Sequence, residues 1–332
     1  MSLGLRPSKI ALNQLYSALD FIDHLRLSQS HLGYTTTLST SSENIHANRY
    51  RDILPYDHAL LPGPFLNAAF IPFFHPTALS FIISQAPLPQ TFTNFYTHIV
   101  QQRVKLLINL TTLVENGRLK AHQYWPDPSS PSESSSNQIV LDNGWKVTMD
   151  SETTIDLAQG QATLIRRVIH IDTTNTASSC CSSTSKDLKT GWSFTQFHVT
   201  SWPDHGVFPT CLLLQLMEQT QQVVIPKNDP PPPTWIHCSA GVGRSGTLAA
   251  AFIAEATINV VKDSAQNDDA LDEKVNMWMI GRNVTSQVWD LPVRIVEHLR
   301  RYRARMVQTI EQFEAVFEIV AQLATKAEMV PK

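Results

Sequence analysis

Ten consecutive residues, His237-Cys238-Ser239-Ala240-Gly241-Val242-Gly243-Arg244-Ser245-Gly246, constrain this chain more than any other part of it. A thiol and a guanidinium flank five residues, two of them glycine. The apolar Thr234–His237 run before them has the length of a buried strand, and residues 245–261 after them are Ala-rich and free of proline, which predicts a helix. Strand, glycine-bearing loop and helix, in that order, aim successive backbone N–H groups at one point, and an anion is what such a point binds.

Each residue type in the segment has a physical task. The loop Ser239, Ala240, Gly241, Val242 and Gly243 can curl around a tetrahedral dianion, with Gly241 and Gly243 permitting the backbone angles. Arg244 closes the cradle with two parallel hydrogen bonds, a geometry that lysine cannot supply. Cys238, beside a helix N-terminus, is biased toward thiolate and is the candidate nucleophile. Ser245 can donate its hydroxyl to that sulfur when the sulfur departs.

The remainder of the chain is consistent with one soluble catalytic domain over residues 1–332, with a core at about 40–325. Hydrophobic residues make up 42% and charged residues 17%, enough for a sizeable core. A net charge of −3 offers no general attraction to nucleic acid or to an anionic membrane. The N-terminal residues lack the apolar stretch of a secretion signal, and the most apolar segment, 60–83, is broken by four prolines and a histidine. Four cysteines, two of them adjacent, form neither a disulfide framework nor a zinc site. The expected compartment is reducing: the cytoplasm, with the nucleus as a second location. No cofactor, metal or oligomer is indicated.

Segments 127–136, 173–186, 226–233 and 262–276 are Ser-, Pro- or otherwise polar-rich and read as loop insertions. Between them, residues 138–141, 145–149, 162–171 and 192–199 have strand character, and 293–303 repeats apolar residues at helical spacing. A mixed sheet with flanking helices follows.

The ten-residue segment resembles the signature of phosphotyrosine-specific protein-tyrosine phosphatases. Its Cys-x5-Arg core alone is shared with dual-specificity phosphatases, and a binding module without turnover is a further rival. The extended form is narrower, and other segments resemble the same family. The resemblance implies the cysteine-based phosphatase fold, an α/β (α+β) domain with a highly twisted mixed central sheet flanked by helices. It is closest in kind to the non-receptor members, acting on phosphotyrosine-containing proteins in signalling. Thr200-Ser201-Trp202-Pro203-Asp204-His205-Gly206 resembles the family's mobile acid loop, which makes Asp204 the general acid and Trp202 its support. Asn48-Arg49-Tyr50-Arg51-Asp52 resembles the substrate-recognition loop, so that Tyr50 stacks on the substrate ring and sets pocket depth while Asp52 accepts substrate backbone N–H groups. Arg305-Met306-Val307-Gln308 with Gln312 resembles the glutamine loop that holds the hydrolytic water, Gln308 being the principal residue and Gln312 its helper. In Val114-Glu115-Asn116-Gly117-Arg118-Leu119-Lys120, the resemblance gives Glu115 the bracing of Arg244 and Lys120 a contact to the acid loop. His237 is expected to orient and tune the thiolate region.

Overall fold

A computed structural model describes residues 7–74, 79–127, 138–158, 160–174, 191–202, 206–223, 231–266 and 290–327. Most of each polar segment expected as an insertion lies outside these residues. Strands β1 (Ala68–Ile71), β2 (Phe81–Ser84), β3 (Leu106–Asn109), β6 (Gln138–Val140), β7 (Lys146–Leu157), β8 (Ala162–Asp172), β9 (Trp192–Val199) and β10 (Thr234–His237) form one sheet in the order β1-β2-β10-β3-β9-β8-β7-β6. A hairpin of β4 (Val114–Glu115) and β5 (Arg118–Leu119) stands apart. β10 runs parallel to both β2 and β3, and β3 parallel to β9, while the outer pairs are antiparallel. The sheet is therefore mixed, as expected.

The central strands are buried on both faces, which is why they are continuous apolar runs. Their side chains alternate between two cores. Ile236, Ile83, Phe81, Leu106 and Ile108 face helices α1 (Lys9–Ser28), α4 (Thr210–Gln221), α5 (Gly243–Gln266), α6 (Asp290–Tyr302) and α7 (Ile310–Lys326). Trp235, Ile82 and Leu107 face helix α3 (Phe92–Gln101). Helix α2 (Thr37–Thr40) is a single turn. Because β10 lies in the middle of the sheet and α5 begins six residues after it, the loop between them opens at the sheet's C-terminal edge.

Three boundaries differ from expectation. The strand read at 145–149 continues to Leu157, since β7 pairs with β8 from Lys146↔Asp172 to Leu157↔Ala162. Its middle is solvated and carries no apolar alternation to read. Helix α5 extends to Gln266, so the polar stretch from residue 262 begins inside a helix. Ala249, Ala250, Ala251 and Ala254 are fully buried along it, and their small size brings α5 close to the neighbouring helices. The core also begins well before residue 40: α1, capped by the Ser8 side chain, packs against α6 and α7 and buries Leu12 and Leu19.

Phe95 lies at the centre of the second core, its ring 5.0 Å from those of Tyr124 and Trp235. Phe95→Ala should cost about 3–5 kcal/mol in denaturant unfolding through cavity formation. A loss below about 1 kcal/mol would show that the aromatic cluster does not support the sheet.

Candidate active site

The loop after β10 is shaped from outside. Arg303 is fully buried and donates Nε to the Gly241 carbonyl at 2.8 Å and Nη2 to the Ala240 carbonyl at 2.9 Å. Asn67 Oδ1 holds the same Nη2 at 2.7 Å. A planar trans peptide whose oxygen points outward turns the next N–H inward, so these bonds set the amides toward the loop's centre. Burial brings the Arg303 pKa down to about 10, which leaves it charged at neutral pH. Gly241 has φ +70°, and a Cβ there would stand 2.1 Å from the Ser84 carbonyl oxygen, so no other residue fits. Gly243 differs from expectation. It is the first residue of α5 with no left-handed φ, and what it supplies is space, since a Cβ would lie 3.0 Å from the Gln312 carboxamide.

Cys238 sits at the floor of the loop and accepts the Gly241 N–H at 3.2 Å. Burial pushes its thiol up, but the Arg244 guanidinium, the Ser245 hydroxyl and the N–H groups of Ser245 and Val242 outweigh that effect. The net result is a thiol below its ordinary value. The Ser245 hydroxyl is buried without a hydrogen bond of regular geometry, and the sulfur is the group it favours electrostatically. Tyr124 donates its hydroxyl to His237 Nε2 at 2.6 Å, which fixes the tautomer, and Nδ1 of His237 then donates to the Cys238 carbonyl at 3.2 Å. Burial drives the His237 pKa down to about 3. The imidazole is neutral, so it orients the backbone of Cys238 without adding charge.

Arg244 is almost wholly buried. It donates Nη1 to Glu115 Oε1 at 2.6 Å and to the Trp202 carbonyl at 3.0 Å. The β4–β5 turn explains how Glu115 reaches it: Asn116 (φ 50°) and Gly117 (φ 70°) are both left-handed, as a two-residue hairpin turn requires. Glu115 is thus in direct contact with the Arg244 guanidinium. Trp202 is buried, stacks on Phe208 at 4.9 Å and donates Nε1 to the Gly206 carbonyl. Asp204 lies outside the described residues.

A cavity of about 180 Å³ opens over the sulfur, lined among others by Tyr50, Lys120, Cys238, Arg244, Gln308 and Gln312. Tyr50 donates its hydroxyl to Ser239 Oγ at 2.7 Å, and Ser239 in turn donates to the Lys120 carbonyl at 2.7 Å, so the rim is joined to the floor. Asp52 is also on the rim, but its carboxylate is engaged by Arg305 Nη1 at 2.8 Å. Gln312 accepts the Gln308 N–H at 2.9 Å and reaches the Gly206 carbonyl at 3.4 Å, so it ties the glutamine segment to the end of the Trp202 loop. Of the residues singled out from the sequence, Tyr50, Asp52, Lys120, Cys238, Ser239, Ala240, Gly243, Arg244, Gln308 and Gln312 line this cavity. Glu115 and Trp202 bond to Arg244 at its wall, and His237, Gly241, Val242 and Ser245 are not part of the lining. The sequence reading missed Arg303, Tyr124, Tyr16 and Arg300. Among the described residues no group of three or more His, Cys, Asp or Glu side chains could hold a metal ion, and no helix is long and apolar enough to cross a membrane.

The protein-tyrosine phosphatase family model matches residues 44–322, and the chain belongs to that family. Among curated relatives, mouse tyrosine-protein phosphatase non-receptor type 4 is 31% identical over 88% of this chain and 26% of its own length. Human receptor-type tyrosine-protein phosphatase H is 28% identical over 98% and 25% respectively. The chain thus spans about a quarter of the length of these relatives. A solved structure of PTPN18 in complex with HER2-pY1196 phosphopeptides superposes with a TM-score of 0.70 at 21% identity, covering 95% of this chain and 93% of that one, and it shares the fold.

Iodoacetamide should alkylate Cys238 with a pH midpoint below that of an ordinary thiol, because a lowered pKa keeps thiolate present at lower pH. Arg244→Met should move that midpoint upward. An identical midpoint in the two proteins would remove Arg244 from the electrostatics of the sulfur.

Proposed function

We propose that this chain is a single catalytic domain that removes phosphate from phosphotyrosine in proteins through a cysteinyl-phosphate on Cys238. The observation that carries the reading is the sulfur itself. It lies below its ordinary pKa at the floor of a cavity about the size of an aryl phosphate, with Arg244 beside it and Tyr50 at the rim. Membership of the family supports the chemistry, and the fold neighbour solved with phosphopeptides supports the substrate class.

In the first step Cys238 Sγ attacks phosphorus. The S–P bond forms as the P–O bond to tyrosine breaks, and Asp204 gives its proton to the departing phenolate oxygen. Arg244 and the amides of residues 239–243 stabilise the equatorial oxygens, which carry the developing charge. In the second step a water held by Gln308 attacks phosphorus and Asp204 takes its proton. The S–P bond breaks, releasing inorganic phosphate and the thiolate, to which Ser245 donates. Tyr50 at the rim keeps shorter phosphoseryl and phosphothreonyl side chains from reaching the sulfur. Lys120 supports the acid loop from the rim, and Asp52 aligns the substrate backbone once it leaves Arg305, an exposed pairing that costs little to break. The setting is cytoplasmic and the role is dephosphorylation in signalling.

Cys238→Ser should abolish turnover of a phosphotyrosyl peptide while calorimetry still registers binding of it. Near-normal activity in that variant would refute the nucleophile. Asp204→Ala should lower kcat by a factor of about 10² or more on a substrate with a poor leaving group. Equal rates with wild type would take Asp204 out of the reaction.

A further inference from the structure

Gln308 is placed by a part of the chain 292 residues away in sequence. Tyr16, in the second turn of α1, donates its hydroxyl to the Gln308 carbonyl at 2.5 Å. Asp23, further along the same helix, accepts the Arg305 N–H at 2.9 Å. Between these points Arg300 of α6 is wholly buried, donating Nε to the Met306 carbonyl at 2.9 Å and Nη2 to the Val307 carbonyl at 3.1 Å. Its remaining nitrogen is held by α1, through Asp20 at 2.7 Å and Asp23 at 3.4 Å, and its guanidinium lies 5.2 Å from the centre of the Tyr16 ring. Every carbonyl from Met306 to Gln308 is thereby fixed by a side chain of α1 or of the arginine that α1 holds.

The segment needs such restraint. Arg305 and Val307 have φ of +61° and +59°, a left-handed conformation unfavourable for any L residue and most so for a β-branched one. Two strained residues within three will relax unless neighbouring groups over-determine them. The Val307 N–H on the Val242 carbonyl at 3.1 Å, the Gln308 N–H on Gln312 Oε1 and the exposed Arg305–Asp52 pair are anchors of other origin, and the rest come from α1 and Arg300. A cavity of about 400 Å³ lined by Tyr16, Asp20, Asp23, Arg300, Arg305 and Gln308 leaves room into which an unheld segment can move.

We propose that α1 is a positioning element for the second chemical step: Tyr16 directly, and Asp20 and Asp23 through Arg300, hold residues 305–308 so that the Gln308 carboxamide presents water in line with the S–P bond. The inference rests on the role given to Gln308 above. Formation of the cysteinyl-phosphate uses Cys238, Arg244 and Asp204 and does not call on the Gln308 carboxamide, so the two steps respond differently to damage in α1.

Tyr16→Phe keeps the ring against Arg300 and Phe313 and removes only the hydroxyl. With an aryl phosphate, kcat should fall about tenfold and KM by the same factor, leaving kcat/KM unchanged, and one equivalent of phenol should be released in a burst before the steady state. Asp20→Asn, at a largely exposed side chain, should give the same pattern more weakly. General structural damage would instead lower kcat/KM with no burst. Gln308→Ala is the reference and should itself show the burst. If it does while Tyr16→Phe and Asp20→Asn behave as wild type, or lose kcat/KM without a burst, the role of α1 is overturned and the proposed function stands. If Gln308→Ala shows no burst, the role of Gln308 falls and this inference with it.

Discussion

The hydrogen bonds from buried Arg303 to the Ala240 and Gly241 carbonyls are the constraint on which the site depends. A nest of inward amides is an unstable arrangement by itself, because the outward carbonyls lose water and the inward N–H groups repel one another until an anion arrives. Arg303 answers the first problem. The Cys238 sulfur answers part of the second, since it accepts the Gly241 N–H. The cradle is thus assembled before substrate binds, and the electrostatic stabilisation it offers needs little reorganisation during the reaction.

The site divides into two groups of residues according to how the chain delivers them. Cys238 to Gly243 and Arg244 arrive together on one strand-loop-helix unit, and the Asn-Gly turn presents Glu115 as a local hairpin. These parts are placed by short-range geometry. The glutamine segment is different, being suspended between α1, α6 and the start of α5. Gln312 adds a link from the segment to Gly206, at the end of the Trp202 loop. The glutamine segment and the end of the Trp202 loop are therefore joined mechanically.

Legibility in the sequence follows the same division. The cradle was readable because five residues between a cysteine and an arginine leave few ways to fold between a strand and a helix. β1, β2 and β3 were not read from the sequence, whereas the central strand β10, equally short, was readable as an apolar run, and α5 from its alanines. Arg303 was not, because in one dimension it is the last residue of a helical repeat, and its partners Asn67, Ala240 and Gly241 lie some 60 to 240 positions away. Nor was α1, whose contributions to the site are a tyrosine and two aspartates on an otherwise ordinary amphipathic helix. The expectation that Gly243 supplies backbone freedom mistook a packing requirement for a conformational one. Asp52 lines the cavity, and its pairing with Arg305 could be located only in three dimensions.

Beneath the sulfur, a chain of polar groups runs from Arg167 through Gln196 and Tyr124 to His237, with His198 alongside. Burial takes the two imidazoles down to about 3 and about 4, so both are uncharged throughout the range in which cells operate. Modest acidification of the surroundings consequently leaves the foundation electrically silent. A change in acidity near neutrality therefore does not reach the sulfur through these two rings.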